Sequence, residues 1–586
     1  MPSPSLDSRQ QPLSPGIAAG IVRAIVSARE AVMRWLLAAV LCAAGAANAA
    51  TALLVNARVH TLDPDTPLAQ ALGWNDDGRI VAVGTSAELR ERWPQARIVD
   101  AQGRDVIPGL IDAHGHLMNL GRSLLNADLV GATSRADVIE RLQRFASDLP
   151  EGAWLLGRGW DQTRWPQREF PTAADLDAAF PDRPVWLTRI DGHAGWANQA
   201  ALRAANQQLD GDWQPEGGRI LRDDGKATGV FIDKAMDLVR RAIPVPDADL
   251  QLKALERALA QAVKLGLTGV HDAGVSLEDL ARYRRFADAG KLPLRVYAMA
   301  DGDAAALDAL CAMGRYTHPS GRLQMRAVKL YIDGALGSRG AALIEDYSDE
   351  PGNRGLLLAE ADAFERVVRR AKDCRIQPAS HAIGDRGNRV VLDTYAKLLG
   401  EDARADHRWR IEHAQVVAIE DIARFAALGV IASMQPTHAT SDMRWAEDRL
   451  GKRRLAGAYA WRRFRDAGVA LALGSDFPVE QVDPMLGLHA AVTRQDTAGK
   501  PVGGWLPGQR LSALESLHGF TLGAAHAGFA EDEVGSLVVG KHADFVVVSA
   551  DVLSGRSLQR MHAVRVLATY VDGKPVYQAP PETRAR

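Results

Sequence analysis

The 586-residue chain has few cysteines and almost no excess of one charge. Its three cysteines, Cys42, Cys311 and Cys374, lie far apart without a CxxC spacing, so neither a thiolate zinc site nor a disulfide framework can be read from the sequence. The 70 basic and 72 acidic residues leave a net charge of -2, and no long run of one sign occurs. This excludes a general electrostatic attraction for nucleic acid or for an anionic membrane surface.

The amino-terminal segment lacks an apolar run of the ~20 residues that a membrane-spanning helix needs. From Met33, a basic start precedes an apolar stretch that ends in the small residues Ala47-Asn48-Ala49. This pattern predicts a leader over residues 1–49 with a cleavable signal peptide, and therefore a periplasmic or secreted protein without a membrane span in its mature form. An uncleaved anchor is the alternative.

The rest of the chain divides into two strand-rich ends and a long middle. Short apolar runs broken by Gly and Asp occur near both ends, which predicts a composite β-sandwich from residues 50–107 and 527–586. Over residues 108–526, apolar strands alternate with helical stretches, which favours an α/β fold of about eight βα units, a (β/α)₈ TIM-type barrel. Residues 119–249 are too long for a simple connection and predict an insertion that covers the barrel mouth.

Six polar residues recur in or at the end of short apolar runs: His114, His116, Lys329, His381, His413 and Asp476. Functional groups of a (β/α)₈ barrel lie at the carboxyl ends of its strands, so the six are expected to meet at one metal site. His114 and His116 are two residues apart, and the period of a strand points both imidazoles to the same side. Taken singly, the histidines could be structural and Asp476 could cap a helix.

Lys329 lies in an otherwise apolar run, where an unpaired ammonium would be costly to bury. Carbamylation by carbon dioxide would turn the amine into a ligand for metal, and an ion pair, for example with Asp333, is the alternative. Asp112 is expected either to orient a ligand or to cap a turn. His271 and Asp272 are candidates for contacts behind the ligands, and His438 for the pocket wall.

Five segments carry a resemblance to a known family: Gly109-Leu-Ile-Asp-Ala-His-Gly-His, Lys329-Leu-Tyr-Ile-Asp-Gly, Ser380-His-Ala-Ile-Gly-Asp, Arg410-Ile-Glu-His-Ala-Gln and Gly474-Ser-Asp-Phe-Pro. Together they resemble the amidohydrolase superfamily, and within it the YtcJ-like branch (amidohydrolase family 3). The resemblance extends over nearly the whole chain after the leader. It implies a metal-dependent hydrolase with a (β/α)₈ barrel, a composite β-sandwich and an inserted α/β segment.

The resemblance also implies roles for the six residues. His114 and His116 would bind the more buried metal, Lys329 would be a ligand from the fourth barrel strand, and His381 and His413 would bind a second metal or polarise the substrate. Asp476 would complete the site and act as the general base. The expected cofactor is one or two divalent ions, with zinc favoured by the imidazole ligands.

Two further segments suggest contacts with substrate. Asp191-Gly-His-Ala-Gly-Trp resembles a recurring segment of the branch, so His193 is a candidate for holding substrate, with a structural histidine as the alternative. Arg158 and Trp160 are candidates for the pocket wall, since small-molecule pockets combine aromatic surface with a few polar groups.

The predicted function is hydrolysis of a C–N bond in a small-molecule amide by metal-activated water, with Asp476 and His413 in the catalytic centre. The alternatives are hydrolysis of a cyclic amide or an ester, or a binding protein that keeps the barrel without turnover. A small molecule is the expected partner, and a homo-oligomer is left open.

Overall fold

The computed structural model describes residues 50–581, except 148, 163–164, 190–193, 216–217 and 245–246. The predicted leader and His193 lie outside the described residues. Within these ranges, no helix combines the length and the apolar character that crossing a membrane would require.

Eight parallel strands form a nearly closed barrel. They are β1 (Leu110–Gly115), β2 (Leu267–Val275), β3 (Arg295–Asp301), β4 (Leu323–Tyr331), β5 (Gln377–Ala382), β6 (Arg410–His413), β7 (Ile431–Met434) and β8 (Leu471–Leu473). Each strand pairs in parallel with the next one along the chain. A short strand, Tyr316–Thr317, pairs antiparallel with β4. The prediction of a (β/α)₈ barrel is therefore confirmed.

The barrel closes just beyond the ends of β1 and β8. The His116 amide donates to the Phe477 carbonyl at 2.8 Å, and the Asp476 amide donates to the His114 carbonyl at 2.7 Å. A parallel bridge joins Gly115 to Phe477, and a Cβ on Gly115 would lie 2.4 Å from the Phe477 ring. Only glycine permits this approach, so the closure depends on residue 115.

Helices cover the outside of the barrel and fill the connections between its strands. The helices of the described chain are Ser86–Arg92, Leu117–Leu124, Arg135–Ala146, Ala173–Asp177, Gln199–Ala205, Asp237–Arg240, Ala248–Lys264, Leu277–Asp288, Ala304–Met313, Ala361–Asp373, Asp385–Leu399, Ile419–Leu428, Pro436–Asp442, Ala446–Arg454, Trp461–Asp466, Pro484–Thr493, Ala513–His518 and Ala524–Ala527. The helix Ala248–Lys264 is representative: Asp247 caps it by accepting from the Leu250 amide, and its apolar positions, spaced three and four apart, are buried.

Both ends of the described chain contribute to a β-sandwich. One sheet contains Ala52–Val55, Ala71–Trp74, Ile80–Gly84 and Arg97–Asp100. The other combines Arg58–His60, Leu68–Ala69 and Asp105–Pro108 with Phe545–Val548, Val566–Val571 and Lys574–Gln578. Trp74 from the first sheet packs on Phe545 from the second with ring centroids 5.7 Å apart, so the two sheets share an apolar core.

Between β1 and β2 the chain forms a separate six-stranded mixed sheet. Its strands are Ala127–Asp128, Leu155–Trp160, Val185–Arg189, Ala194–Ala197, Gly218–Asp223 and Lys226–Asp233. The predicted inserted α/β segment is confirmed, and it has apolar cores of its own. Its position over the barrel mouth stays a prediction.

The structure contains a disulfide that could not be read from the cysteine spacing. Cys311 and Cys374 are joined, with Cα atoms 5.2 Å apart. Cys311 lies in the helix after β3 and Cys374 follows the helix after β4, and these two helices are neighbours because β3 and β4 pair. The 63-residue spacing carries no sign of this proximity, which only the barrel creates.

Candidate metal centre

The carboxyl ends of the barrel strands bring most of the predicted residues together. His114 lies in β1 and His116 just after it, and the Nε2 atom of His116 is 2.9 Å from an Asp476 carboxylate oxygen. The Nε2 atom of His114 is 3.7 Å from that same oxygen. Burial opposes ionisation of Asp476, but its hydrogen bond to His116 and the nearby imidazoles hold the pKa of its carboxyl below the usual range. Asp476 is therefore an ionised acceptor at the centre of the group.

A buried carboxylate fixes the orientation of His114. Glu412 accepts hydrogen bonds from His114 Nδ1 at 2.5 Å and from Arg410 Nε at 2.5 Å, and all three side chains are fully buried. Burial opposes ionisation, yet the charge of Arg410 and these hydrogen bonds lower the pKa of Glu412 below its usual range. An ionised carboxylate only accepts, so Nδ1 of His114 carries the hydrogen and Nε2 keeps its lone pair for a metal.

Lys329 reaches the same group from β4. It is 1% exposed, and its Nζ atom lies 3.2 Å from His114 Nε2. The ion pair with Asp333, one of the two expectations from the sequence, is not formed, because Asp333 accepts the backbone amides of Ala342, Ile383 and Gly384 instead. Burial lowers the pKa of Lys329 to about 8.

A second group of donors shares Asp476. His413, His438 and Asp476 each offer a ligand atom, and these atoms lie within 4.8 Å of one another, as do those of His114, His116 and Asp476. Nδ1 of His413 is 2.8 Å from the Gln435 side-chain oxygen, so it carries a hydrogen and leaves Nε2 free. Burial lowers the pKa of His413 well below its usual value, which keeps the imidazole neutral.

His381 lies beside this second group, with its ring centroid 4.6 Å from that of His413. Within the described residues, Nε2 of His381 and Nε2 of His438 are buried and have no hydrogen-bond partner. Leaving such an atom unpaired costs ~1–3 kcal/mol. A divalent cation would satisfy both atoms, and neutral imidazoles with a carboxylate are ligands that zinc accepts. The residues present therefore fit a metal.

Backbone strain marks two of these residues. His413 has a φ of 72° and Asp476 a φ of 63°, values that non-glycine residues adopt at a cost.

Asp112 joins β1 to the loop after β8. Gly474 lets this loop approach β1, since a Cβ at residue 474 would lie 2.5 Å from Asp112 Oδ1. Asp112 accepts hydrogen bonds from the amides of His114 and Ser475 and from the Ser475 hydroxyl, so it holds together the two segments that carry His114 and Asp476.

The residues expected behind the ligands form two networks. Nδ1 of His271 is 2.9 Å from Arg410 Nη1, so it helps to hold the guanidinium that pairs with Glu412. Asp272 accepts from the Leu117 amide at 2.7 Å and from the Tyr283 hydroxyl. His271 therefore acts on His114 through Arg410 and Glu412, and Asp272 acts on His116 through the backbone of Leu117.

Of the two residues predicted for the pocket wall, Trp160 lies in the core of the insertion. Trp160 is fully buried, donates to the Leu187 carbonyl at 2.9 Å and packs on Trp196 with ring centroids 5.9 Å apart. Its side chain thus has no exposed surface, while Arg158 on the same strand is exposed.

Tyr331 is a residue that the sequence analysis did not select. It ends β4, is 40% exposed, and its ring lies 4.7 Å from Lys329 Nζ and 5.7 Å from the His381 ring. An exposed aromatic side chain beside buried metal donors is placed to contact a substrate. Its position two residues after Lys329, on the same face of the strand, is the signal that could have identified it.

Comparison with known proteins agrees with this geometry. Residues 97–577 match the amidohydrolase family, and residues 76–96 match the imidazolonepropionase-like composite domain of bacteria. The chain is 33% identical to the putative amidohydrolase YtcJ of Bacillus subtilis over 86% of this chain and 95% of that protein. It is 30% identical to the N-substituted formamide deformylase of Arthrobacter pascens over 90% of this chain and 98% of that protein.

A solved structure has the same architecture. An uncharacterized metal-dependent hydrolase from Pyrococcus horikoshii superposes with a TM-score of 0.70 at 30% identity, covering 86% of this chain and 98% of that one. The barrel, the donor cluster and these relatives define a metal-dependent hydrolase. The chain belongs to the amidohydrolase family, in its YtcJ-like branch, which confirms the resemblance found in the sequence.

Proposed function

We propose that the protein hydrolyses the C–N bond of a small acyclic amide, with zinc as its metal. The observation that carries the proposal is the convergence of His114, His116, His413 and His438 on the Asp476 carboxylate. The chemistry of the substrate is supported by the relative named as an N-substituted formamide deformylase, which matches this chain over 98% of its length. N-substituted formamides are therefore the first substrates to assay.

A bound divalent metal would supply a water of lowered pKa and polarise the carbonyl under attack. Asp476, ionised and 2.9 Å from His116, accepts the proton of the attacking water at its carboxylate. It then returns that proton to the leaving nitrogen, so that the amine departs neutral. His413, held by Gln435, and the exposed ring of Tyr331 position the acyl group.

Lys329 is assigned the carbamate form. Its amine lies 3.2 Å from His114 Nε2 and pairs with no carboxylate within the described residues, and its lowered pKa of about 8 leaves roughly a tenth of it uncharged at pH 7. The uncharged nitrogen attacks carbon dioxide, a C–N bond forms, and one proton is released to solvent. Native mass spectrometry of protein prepared with ¹³C-labelled bicarbonate tests this, because Lys329→Ala should lose the label that the unaltered protein carries.

The proposed activity is tested on the zinc-loaded protein with an N-substituted formamide, the matched lactam and the matched formate ester. Turnover of the formamide with a clear preference over the other two is expected. Preference for the lactam or ester would replace the proposal with the corresponding alternative, and absence of turnover with bound metal would favour a binding protein.

Metal binding is tested separately by elemental analysis. His114→Ala should lose most of the metal, whereas His526→Ala, a change of the same kind at a side chain that is 40% exposed in an ion pair with Glu531, should keep it. Equal metal content in both variants would remove His114 as a ligand.

We also propose that the protein is exported and works in an oxidising compartment. The Cys311–Cys374 disulfide supports this, since disulfides persist mainly in the periplasm and outside the cell. Cell fractionation with mass spectrometry of the amino terminus is the test: periplasmic protein that begins at Ala50 is expected, and cytoplasmic protein that keeps residues 1–49 would refute export.

A further inference from the structure

A second cavity, of about 190 Å³, lies at the end of the barrel opposite to the metal donors. Its lining includes Arg326 near the start of β4, Gln377 at the start of β5 and Trp409 just before β6. The metal donors lie at the other ends of the same strands. Nothing in the proposed hydrolytic mechanism uses this cavity.

The cavity combines an apolar wall with an excess of positive charge. Its apolar wall consists of Ile376, Leu399, Trp409 and Phe529, and its charged side chains are Arg315, Arg326, Lys372, Arg375, Asp402 and Asp406. Both carboxylates are already paired, Asp402 with Lys372 at 2.9 Å and Asp406 with Arg408 at 2.6 Å. Among the residues that the structure describes, no carboxylate pairs with the other arginines of the cavity, Arg315, Arg326 and Arg375.

The ends of the neighbouring helices account for some of this charge. Lys372 donates to the Leu398 carbonyl at 2.6 Å, and Arg315 donates to the Arg375 carbonyl at 2.8 Å. Cations commonly bind the free carbonyls at helix carboxyl ends. These two side chains therefore have partners without any ligand.

Arg326 has no such partner. Its guanidinium lies 3.7 Å above the Phe529 ring, and within the described residues no carboxylate pairs with it and no acceptor receives a hydrogen bond from it. Arg408, 4.6 Å from the same ring, provides the comparison, since it bonds to Asp406, Glu531 and the His526 carbonyl. Of the two guanidinium groups on the Phe529 ring, that of Arg408 therefore has several hydrogen-bond partners, and that of Arg326 has none in the described part of the chain.

We propose that this cavity binds a small oxyanion, a carboxylate or a phosphate, through Arg326. A guanidinium presents a planar fork of donors that matches the two oxygens of such a group. Phe529 and Trp409 would lie against the apolar body of an organic carboxylate. Reactions of (β/α)₈ barrels take place at the carboxyl ends of the strands, whereas this cavity lies at their amino-terminal ends. The proposed oxyanion site is therefore separate from the site of hydrolysis.

Two structural features keep the cavity in shape. Phe529 has a φ of 58°, a conformation that costs an aromatic residue energy and that the surrounding contacts must maintain. The Cys311–Cys374 disulfide ties together the two segments that carry Arg315 and Arg375 on the rim. A site held in this way loses little entropy on binding.

Calorimetric titration of the metal-loaded, full-length protein with sodium benzoate and with inorganic phosphate tests the proposal. We expect binding that weakens at least tenfold in Arg326→Gln and less in Arg326→Lys, which keeps the charge without the fork. Arg369→Gln, which removes an exposed arginine that pairs with Glu365 one turn away in the helix Ala361–Asp373, should bind like the unaltered protein. Thermal unfolding without ligand shows whether each variant is folded.

The same titration on His114→Ala separates this cavity from the metal centre, because binding at the cavity should persist when metal is lost. Benzoate binding alone would identify an organic carboxylate as the ligand, and binding of both probes would identify the oxyanion itself. Equal affinity in Arg326→Gln and in the unaltered protein, or loss of all binding in His114→Ala, would overturn the proposal. No binding of either probe to the unaltered protein would do the same.

Discussion

Glu412 is the residue whose replacement examines the metal centre most directly without touching a metal donor. The carboxylate accepts from His114 on one side and from Arg410 on the other. In Glu412→Gln one oxygen becomes an NH₂ group, which can only donate. The buried Arg410 guanidinium loses its counter-charge whichever way the amide points. Where the NH₂ group faces His114, it also moves the imidazole hydrogen to Nε2.

Both arrangements carry a cost that can be estimated. Removing one partner of a buried ion pair costs roughly 3–5 kcal/mol of the free energy of unfolding. A hydrogen on Nε2 of His114 blocks the lone pair that faces Asp476 and Lys329. Changes behind a metal ligand typically weaken metal binding roughly 10- to 100-fold, or about 1.4–2.7 kcal/mol. Glu412→Gln should therefore lose both stability and zinc affinity.

Urea unfolding of the metal-free protein measures the first loss, and competition with a chromogenic chelator measures the second. Glu420→Gln is the matched control, because Glu420 pairs with Arg389 and is 71% exposed, where an ion pair contributes about 0–1 kcal/mol. Zinc affinity within twofold of the unaltered protein, together with unchanged stability, would show that His114 is not oriented by Glu412.

Three other changes have defined outcomes. Asp476→Asn should lower kcat at least a hundredfold, by roughly the share that general base catalysis supplies, while the circular dichroism spectrum is kept; near-normal kcat would remove Asp476 as the base. Replacing Cys311 and Cys374 together by Ser should lower the free energy of unfolding by ~4 kcal/mol, as expected for a closed loop of 63 residues, and an unchanged urea midpoint would contradict this. Burial lowers the pKa of His114 to about 4 and of His381 to about 3, so between these values and ~6.5 the unfolded chain binds more protons than the folded one. These two imidazoles should accordingly make the metal-free protein less stable as the pH falls from ~6.5 towards 4, whereas buried carboxyls such as Asp112, whose pKa is raised to about 7, act in the opposite sense. The contribution of one imidazole is isolated with His381→Gln, and a variant with the same pH profile in urea titrations as the unaltered protein would refute the assignment.

The barrel and the convergence of its polar residues could be predicted because both follow from local patterns. Alternation of strands and helices indicates parallel strands, and the carboxyl ends of such strands meet. His114, Lys329 and His413 are therefore near one another in the structure as the sequence predicted. The composite sandwich likewise followed from strand-like runs at both ends.

Other contacts depend on distances that no local pattern encodes. His438 lies in the helix Pro436–Asp442 after β7, so the search for polar residues at strand ends placed it only in the pocket wall. Glu412 precedes His413 in β6, and its pairing with His114, 298 positions earlier, appears only when β1 and β6 share one barrel. Trp160 was expected in the pocket wall, but it packs against Trp165 and Trp196 in the core of the insertion.

The bonds that join His114 and His116 to the segment Asp476–Phe477 are also the seam that shuts the ring of strands. His116 and Asp476 are 360 positions apart, so a growing polypeptide has no complete pocket for an ion until residue 476 of its 586 has been made. The metal can therefore bind only after the segment that carries Asp476 has been made and has closed the barrel. Chains truncated before residue 474 would be open at that seam and unable to retain zinc.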